Sequence, residues 1–256
     1  MNKKLKIALA QLNPLVGDVT GNVDKLINIR SGLNEDVDIL VAPELYVSGY
    51  PIDDLVLRED FLTLVEKEID KLKENTKDNK SAIIVGAPRK DKKSIKNSVF
   101  VIENGEIISI KDKYELPNTG VFDEQRIFKQ GPLEDCVTIK GVKFGLPICE
   151  DIWEKTVLEK LSKSGAEIII AINASPFTVS KNDEREKITS QRVKETKLPI
   201  VYLNRTGGQD ELIFDGSSFA LNHDGEKFYS SSEFKEETSE INFHKTNGKW
   251  LGNGNL

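Results

Sequence analysis

Short runs dominated by apolar residues recur along this chain, each ending on a turn or loop residue: 5–12, 37–42, 81–87, 142–148, 167–173 and 199–204. None approaches the ~18 apolar residues of a membrane span, and brief apolar runs bounded by breakers read as strands buried on both faces. Between several of them the apolar spacing becomes helical. Val23, Leu26, Ile27 and Leu33 form one stripe, with Thr20 or Asn22 as the candidate cap. Phe61, Leu64, Val65, Ile69 and Leu72 form a second over about 59–76. Further helices are expected over 152–164 and about 183–196. Doubly buried strands alternating with amphipathic helices point to an α/β protein.

Hairpins interrupt that alternation. Asn104-Gly105 joins expected strands 97–103 and 106–113, and Lys140-Gly141 joins 137–139 to 142–148. The lysine-rich stretch 90–96 reads as a solvated hairpin end. Later strands are expected at 214–221, 227–229 and 240–243, with a turn at Asn222-His223-Asp224-Gly225. Residues 114–133 have little periodicity and carry breakers at Pro117, Gly120 and Gly131-Pro132. An irregular stretch of that length inside a domain is expected to serve function. Residues 251–256 read as a frayed tail or linker.

Composition narrows the partners. With 30% charged residues and a net charge of −6, the chain reads as soluble, and no long Lys/Arg block offers a nucleic-acid footprint. Two cysteines make no disulfide framework, and no Cys/His cluster suggests a metal. The start of the chain shows no apolar signal segment. A cytoplasmic protein without membrane attachment is the expectation.

The run 142–148 turns over at Cys149. A cysteine at a strand-to-helix turn presents its sulfur near helix-start N–H groups, which favour a thiolate and bind a developing oxyanion. A core thiol is the equal alternative. Histidine is the common base for such a nucleophile, but the two histidines, His223 and His244, lie outside the alternating part of the chain. Partners are therefore sought at other strand ends. Glu44 follows the run 37–42 and can serve as general base and acid; Lys113 ends the 106–113 strand and can stabilise thiolate and oxyanion. Taken singly, Glu44 also reads as a turn cap and Lys113 as a surface charge. Their recurrence at similar topological points favours chemistry.

Ala42-Pro43-Glu44-Leu45, Lys113-Tyr114-Glu115-Leu116-Pro117 and Ile148-Cys149-Glu150-Asp151, in that order, resemble the three signature segments of the nitrilase, or carbon–nitrogen hydrolase, superfamily. Residues 116–124 and 207–216 resemble the glutaminase domain of glutamine-dependent NAD synthetase, and the resemblance covers most of 5–243. It implies an α/β fold of the four-layer α-β-β-α sandwich type that forms homo-oligomers. It also implies Cys149 as nucleophile, Glu44 as proton acceptor and Lys113 as partner of thiolate and oxyanion. Glu124 would support Lys113, the backbone N–H of Glu150 would share the oxyanion, and Thr119, Ser175 and Lys181 would contact glutamine. Thr119 departs from the usual tyrosine. Ser175 also reads as a turn residue and Lys181 as a surface charge, Cys136 reads as core, and Trp153 as packing beside the turn.

NAD synthetases of this type join the domain to an ATP-dependent one with a Ser-Gly-Gly-x-x-Ser phosphate loop, which this sequence lacks; Gly207-Gly208 runs into Gln-Asp-Glu. The expectation is thus a glutaminase domain over 1–246, with 247–256 a tail or the start of a linker to a synthetase domain outside this chain. The resemblance implies hydrolysis of L-glutamine through a cysteine thioester, with ammonia passed on for conversion of deamido-NAD to NAD. No cofactor is implied in this chain; ATP and Mg belong to the synthetase domain, on the same or another polypeptide. The alternatives are a free-standing amidase or carbamoylase of the superfamily, or a non-catalytic domain docking through 207–216.

Overall fold

In the computed structural model, which describes residues 3–256, the apolar runs become strands of two stacked sheets. The first half of the chain supplies β1 (Lys4–Gln11), α1 (Val19–Ser31), β2 (Ile39–Val41), α2 (Glu59–Asn75), β3 (Ala82–Asp91), β4 (Ser94–Glu103) and β5 (Glu106–Asp112). The irregular stretch contains the short helix α3 (Glu124–Ile127). The second half opens with β6 (Val137–Ile139), β7 (Val142–Gly145), α4 (Lys155–Lys163), β8 (Ile168–Asn173), α5 (Lys181–Thr196) and β9 (Ile200–Asn204). A ribbon of β10 (Thr206–Gln209) and β11 (Leu212–Asp215) follows, then β12 (Phe219–Leu221), β13 (Lys227–Ser230), β14 (Glu237–Thr246) and β15 (Lys249–Asn253). No helix among the described residues is long and apolar enough to cross a membrane.

One sheet has the order β15-β14-β1-β2-β3-β4-β5 and the other β13-β12-β9-β8-β7-β6. Each has a parallel centre, β1-β2-β3 in one and β7-β8-β9 in the other, extended by antiparallel strands. The layering follows from the two-residue period of a strand. In β1, Ile7 and Leu9 turn into the core between the sheets while Ala8 and Ala10 turn outward against Val23 and Leu26 of α1. In β8, Ile168, Ile170 and Ile172 share that inter-sheet core, while Ile169 and Ala171 face Leu158 and Leu161 of α4 and Val193 of α5. Strands apolar on both faces cannot leave either face in water, so each sheet is covered on both sides. The α-β-β-α sandwich expected from the resemblance is the result.

Several local expectations are corrected. The α1 cap is Asp18, whose carboxylate accepts from the Gly21 N–H at 3.0 Å. Asn22 is instead buried, its side chain bonded to both backbone groups of Leu15. Pro147 stops β7 at Gly145, and Ile148 rejoins the sheet through a bridge to Ile172. The expected strand 214–221 divides where Gly216 and Ser217 take φ of 72° and 52°. Lys96 is buried rather than solvated and donates to the Gln130 carbonyl at 2.6 Å. Residues 249–253, expected in a tail, form an edge strand against β14 that buries Trp250. Both hairpin turns are as expected, with left-handed φ at Asn104-Gly105 and Lys140-Gly141.

Candidate active site

Glu44 lies just beyond β2, where the chain turns sharply against β3. Gly86 permits the approach: a Cβ there would sit 2.4 Å from Leu45 N and 2.6 Å from the Pro43 carbonyl oxygen. The Gly86 N–H donates to Pro43 O at 3.1 Å, and the Val47 N–H donates to Gly86 O at 3.1 Å. Leu45 is forced to φ 45°. Lys113 follows β5, its N–H donating to Asn97 O on β4 at 2.8 Å. Cys149 opens a single 3₁₀ turn (Cys149–Ile152) with φ 47°, a strained value for a residue with a side chain.

These strand ends converge on a buried ion cluster. The Lys113 ammonium donates to Glu44 Oε1 at 2.7 Å and to Glu124 Oε1 at 2.9 Å. Asn97 Nδ2 donates to Glu44 Oε1 at 2.8 Å, and the Ala174 N–H, just past β8, donates to Glu44 Oε2 at 2.9 Å. The Tyr50 hydroxyl donates to Glu124 Oε1 at 3.1 Å. The last bond to Glu44 crosses between the sheets, and the Ile148–Ile172 bridge brings the Cys149 turn to the same end of β8. Relative exposures are 0% for Glu44, 1% for Lys113 and 4% for Cys149, so the cluster is closed to bulk solvent.

Residues 6–246 match the model of the carbon-nitrogen hydrolase family. The chain belongs to the carbon–nitrogen hydrolase family. It is 38% identical over 237 residues to a glutamine-dependent NAD(+) synthetase of Acinetobacter baylyi, covering 92% of this chain and 43% of that protein. A solved glutamine-dependent NAD+ synthetase from Acinetobacter baumannii superposes with a TM-score of 0.90 at 34% identity, over 99% of this chain and 48% of that one. The carbon-nitrogen hydrolase from Helicobacter pylori shares the fold, with a TM-score of 0.85 at 21% identity over 94% and 89% of the two chains. This chain therefore spans less than half the length of the synthetases it matches.

Charge in this carbon–nitrogen hydrolase is set by burial and by an excess of carboxylates. Burial opposes the Lys113 charge, but Glu124 and Glu44 outweigh it and hold the ammonium well above its ordinary pKa. Burial pushes Glu124 up to about 7, against Lys113 and with Glu44 adding to the rise. Glu124 Oε2 has no partner among the described residues. Burial, reinforced by Glu44, also raises the Cys149 thiol well above its ordinary value, Lys113 opposing. That rise works against the thiolate-favouring turn expected from sequence. Burial outweighs the one short turn of N–H groups.

Glu124 yields a pH prediction. Between about 4.5 and about 7 the folded protein holds a proton there that the unfolded chain has released. Its contribution to stability is complete below that window and declines as pH rises through it. Urea denaturation should show Glu124→Gln escaping a decline of about 2–3 kcal/mol between pH 5 and pH 8. Parallel pH profiles for variant and wild type would refute this assignment.

The remaining expected residues are dispersed. Ser175 is buried, its N–H donating to Asn204 Oδ1 at 2.9 Å and its hydroxyl accepting from Arg185 Nε at 3.1 Å. Lys181 stands 4.3 Å from the Trp153 ring centroid, and its charge reaches the partly buried Glu150. Trp153 thus packs beside the turn and also carries an ammonium on its face. Thr119 sits on an exposed loop, its carbonyl accepting from the Phe122 N–H. Cys136 is half-buried and bonds to Ser164. Sequence reasoning missed Asn97, Ala174, Tyr50 and Arg192. Arg192 caps the Cys149 turn from α5 by donating to Ile152 O at 2.9 Å and Trp153 O at 2.7 Å. None of the four carried a local signal: Asn97 sits between Lys96 and Ser98 at the polar start of β4.

Proposed function

We propose that this carbon–nitrogen hydrolase cleaves the side-chain amide of L-glutamine, with Cys149, Lys113 and Glu44 as its catalytic residues. The observation carrying the reading is the doubly anchored Glu44 carboxylate, bonded to the Lys113 ammonium beside the Cys149 turn. Glu44 takes the thiol proton as sulfur attacks the carboxamide carbon. The Lys113 ammonium and the Glu150 backbone N–H stabilise the oxyanion. Glu44 then gives its proton to the departing nitrogen, and ammonia leaves a Cys149 thioester. In the second half, Glu44 accepts a proton from water as the hydroxide adds to the thioester carbon; the C–S bond then breaks, the sulfur takes the proton back from Glu44 to restore the thiol, and L-glutamate leaves. Glu124 fixes Lys113, while Ser175, Lys181 and Thr119 contribute to holding glutamine.

The likeness to glutamine-dependent synthetases supports glutamine over other amides, and the incomplete coverage supports a further partner. In this reading ammonia passes to a synthetase portion outside this chain, which uses ATP and Mg to convert deamido-NAD to NAD. Ammonia release should be assayed in parallel on glutamine, aliphatic ω-amides and N-carbamoyl amino acids. Glutamine is expected to lead by at least about tenfold in kcat/KM, or about 1.4 kcal/mol. Turnover of another amide with none of glutamine would instead establish a free-standing amidase or carbamoylase.

A further inference from the structure

We infer that Asp151 is a positioning residue that fixes Lys113 relative to Cys149 by binding the backbone on both sides of the site. The inference rests on the proposed roles of those two residues. Asp151 is 2% exposed and lies two residues past Cys149, on the same 3₁₀ turn. Its Oδ1 accepts from the N–H groups of Tyr114 at 3.1 Å and Glu115 at 2.8 Å, the two residues that follow Lys113. Its Oδ2 accepts from the Ile148 N–H at 2.9 Å, immediately before Cys149. A single carboxylate therefore ties the Lys113 segment of one sheet to the strained cysteine turn of the other.

The chemistry demands this group. Three N–H donors converge on two oxygens, so the ionised carboxylate satisfies all of them, the bonds opposing a burial that pushes its pKa up to about 7, while an amide must present its NH₂ to one. Asparagine at this position would turn a donor toward either Ile148 or the Tyr114–Glu115 pair and release that segment. Among the charges that bear on the Cys149 sulfur, from Glu44, Lys113, Glu150 and Glu124, Lys113 is the one that favours thiolate. Displacing it therefore shifts the thiol upward. Small misplacements of reacting groups lower turnover steeply.

The test measures the pH dependence of Cys149 alkylation by iodoacetamide in a Cys136→Ser background, alongside glutamine kinetics. The midpoint reports the charge next to sulfur, whereas altered access scales the rate alone. Asp151→Asn is expected to raise the midpoint by about one pH unit. It should also lower kcat about 10–100-fold with KM within about twofold. In a Lys113→Met background the same substitution should move the midpoint no further. An unchanged midpoint in a folded variant, or an equal shift without Lys113, overturns the inference, as does a loss confined to melting temperature. If Asp151→Asn does not fold, Asp151→Ser, which keeps one acceptor and leaves room for water, is read in the same way. Alkylation does not involve glutamine, so a wild type inactive on glutamine would sink the substrate reading and leave this test intact.

Discussion

Cys149→Ala is expected to reduce ammonia release from glutamine by on the order of 10⁵-fold or more, with little change in melting temperature. Alanine removes the sulfur that would form the thioester in the proposed reaction and leaves Lys113, Glu44 and their hydrogen bonds in place. The residue takes φ 47° in either case, so the substitution adds no new backbone strain. What persists is polarisation of the amide by the oxyanion partners, which cannot replace a covalent route. Substrate-dependent ammonia production by purified variant and wild type decides the matter. Residual activity above about 1% of wild type would exclude Cys149 as the nucleophile.

The second large effect falls on stability. Arg185 is fully buried on α5 and pairs with Asp215 at 2.7 Å, donating also to the Ser175 and Pro176 carbonyls. Arg185→Met keeps the apolar stem and removes every donor. Asp215 would then keep a bond from the Ser217 hydroxyl but lose its cation while itself buried. Breaking a buried pair in this way should cost about 3–5 kcal/mol, read from denaturant unfolding. Adding Asp215→Asn should restore part of that loss, because the stranded charge is then gone. A change below about 1 kcal/mol would show that the pair contributes little. The consequence extends to the site, because the Arg185 bonds hold the loop whose Ala174 N–H binds Glu44.

The legibility of the site in sequence follows from the range of the interactions. Glu44, Lys113 and Cys149 announce themselves through local signatures, since each stands next to a strand end, whereas Glu124, in the irregular stretch, is marked by the family resemblance alone. Asn97 reaches Glu44 across 53 positions, and Ala174 reaches it across 130. Such contacts exist only once strand register and sheet stacking are set, and neither is encoded within a short window. The same holds for Asp151, whose three donors come from two separate segments. Its place beside Cys149 reads locally as a helix-start acid. β15 was obscured because it is an edge strand that needs little apolar surface, and Trp250 is its single buried side chain. The Asp18 cap was missed because Thr20 and Asn22 are equally good capping residues in isolation.

The bond from the Ala174 N–H to Glu44 has a bearing on folding as well as chemistry. Glu44 and Lys113 belong to one sheet and Cys149 to the other, so neither sheet alone contains the proposed catalytic set. A chain that has formed only its first sheet holds a paired ammonium and carboxylates with no sulfur to act on. One that has formed only the second holds a thiol without a base. Recovered activity during refolding is then a clock for the docking of the two sheets rather than for the making of either.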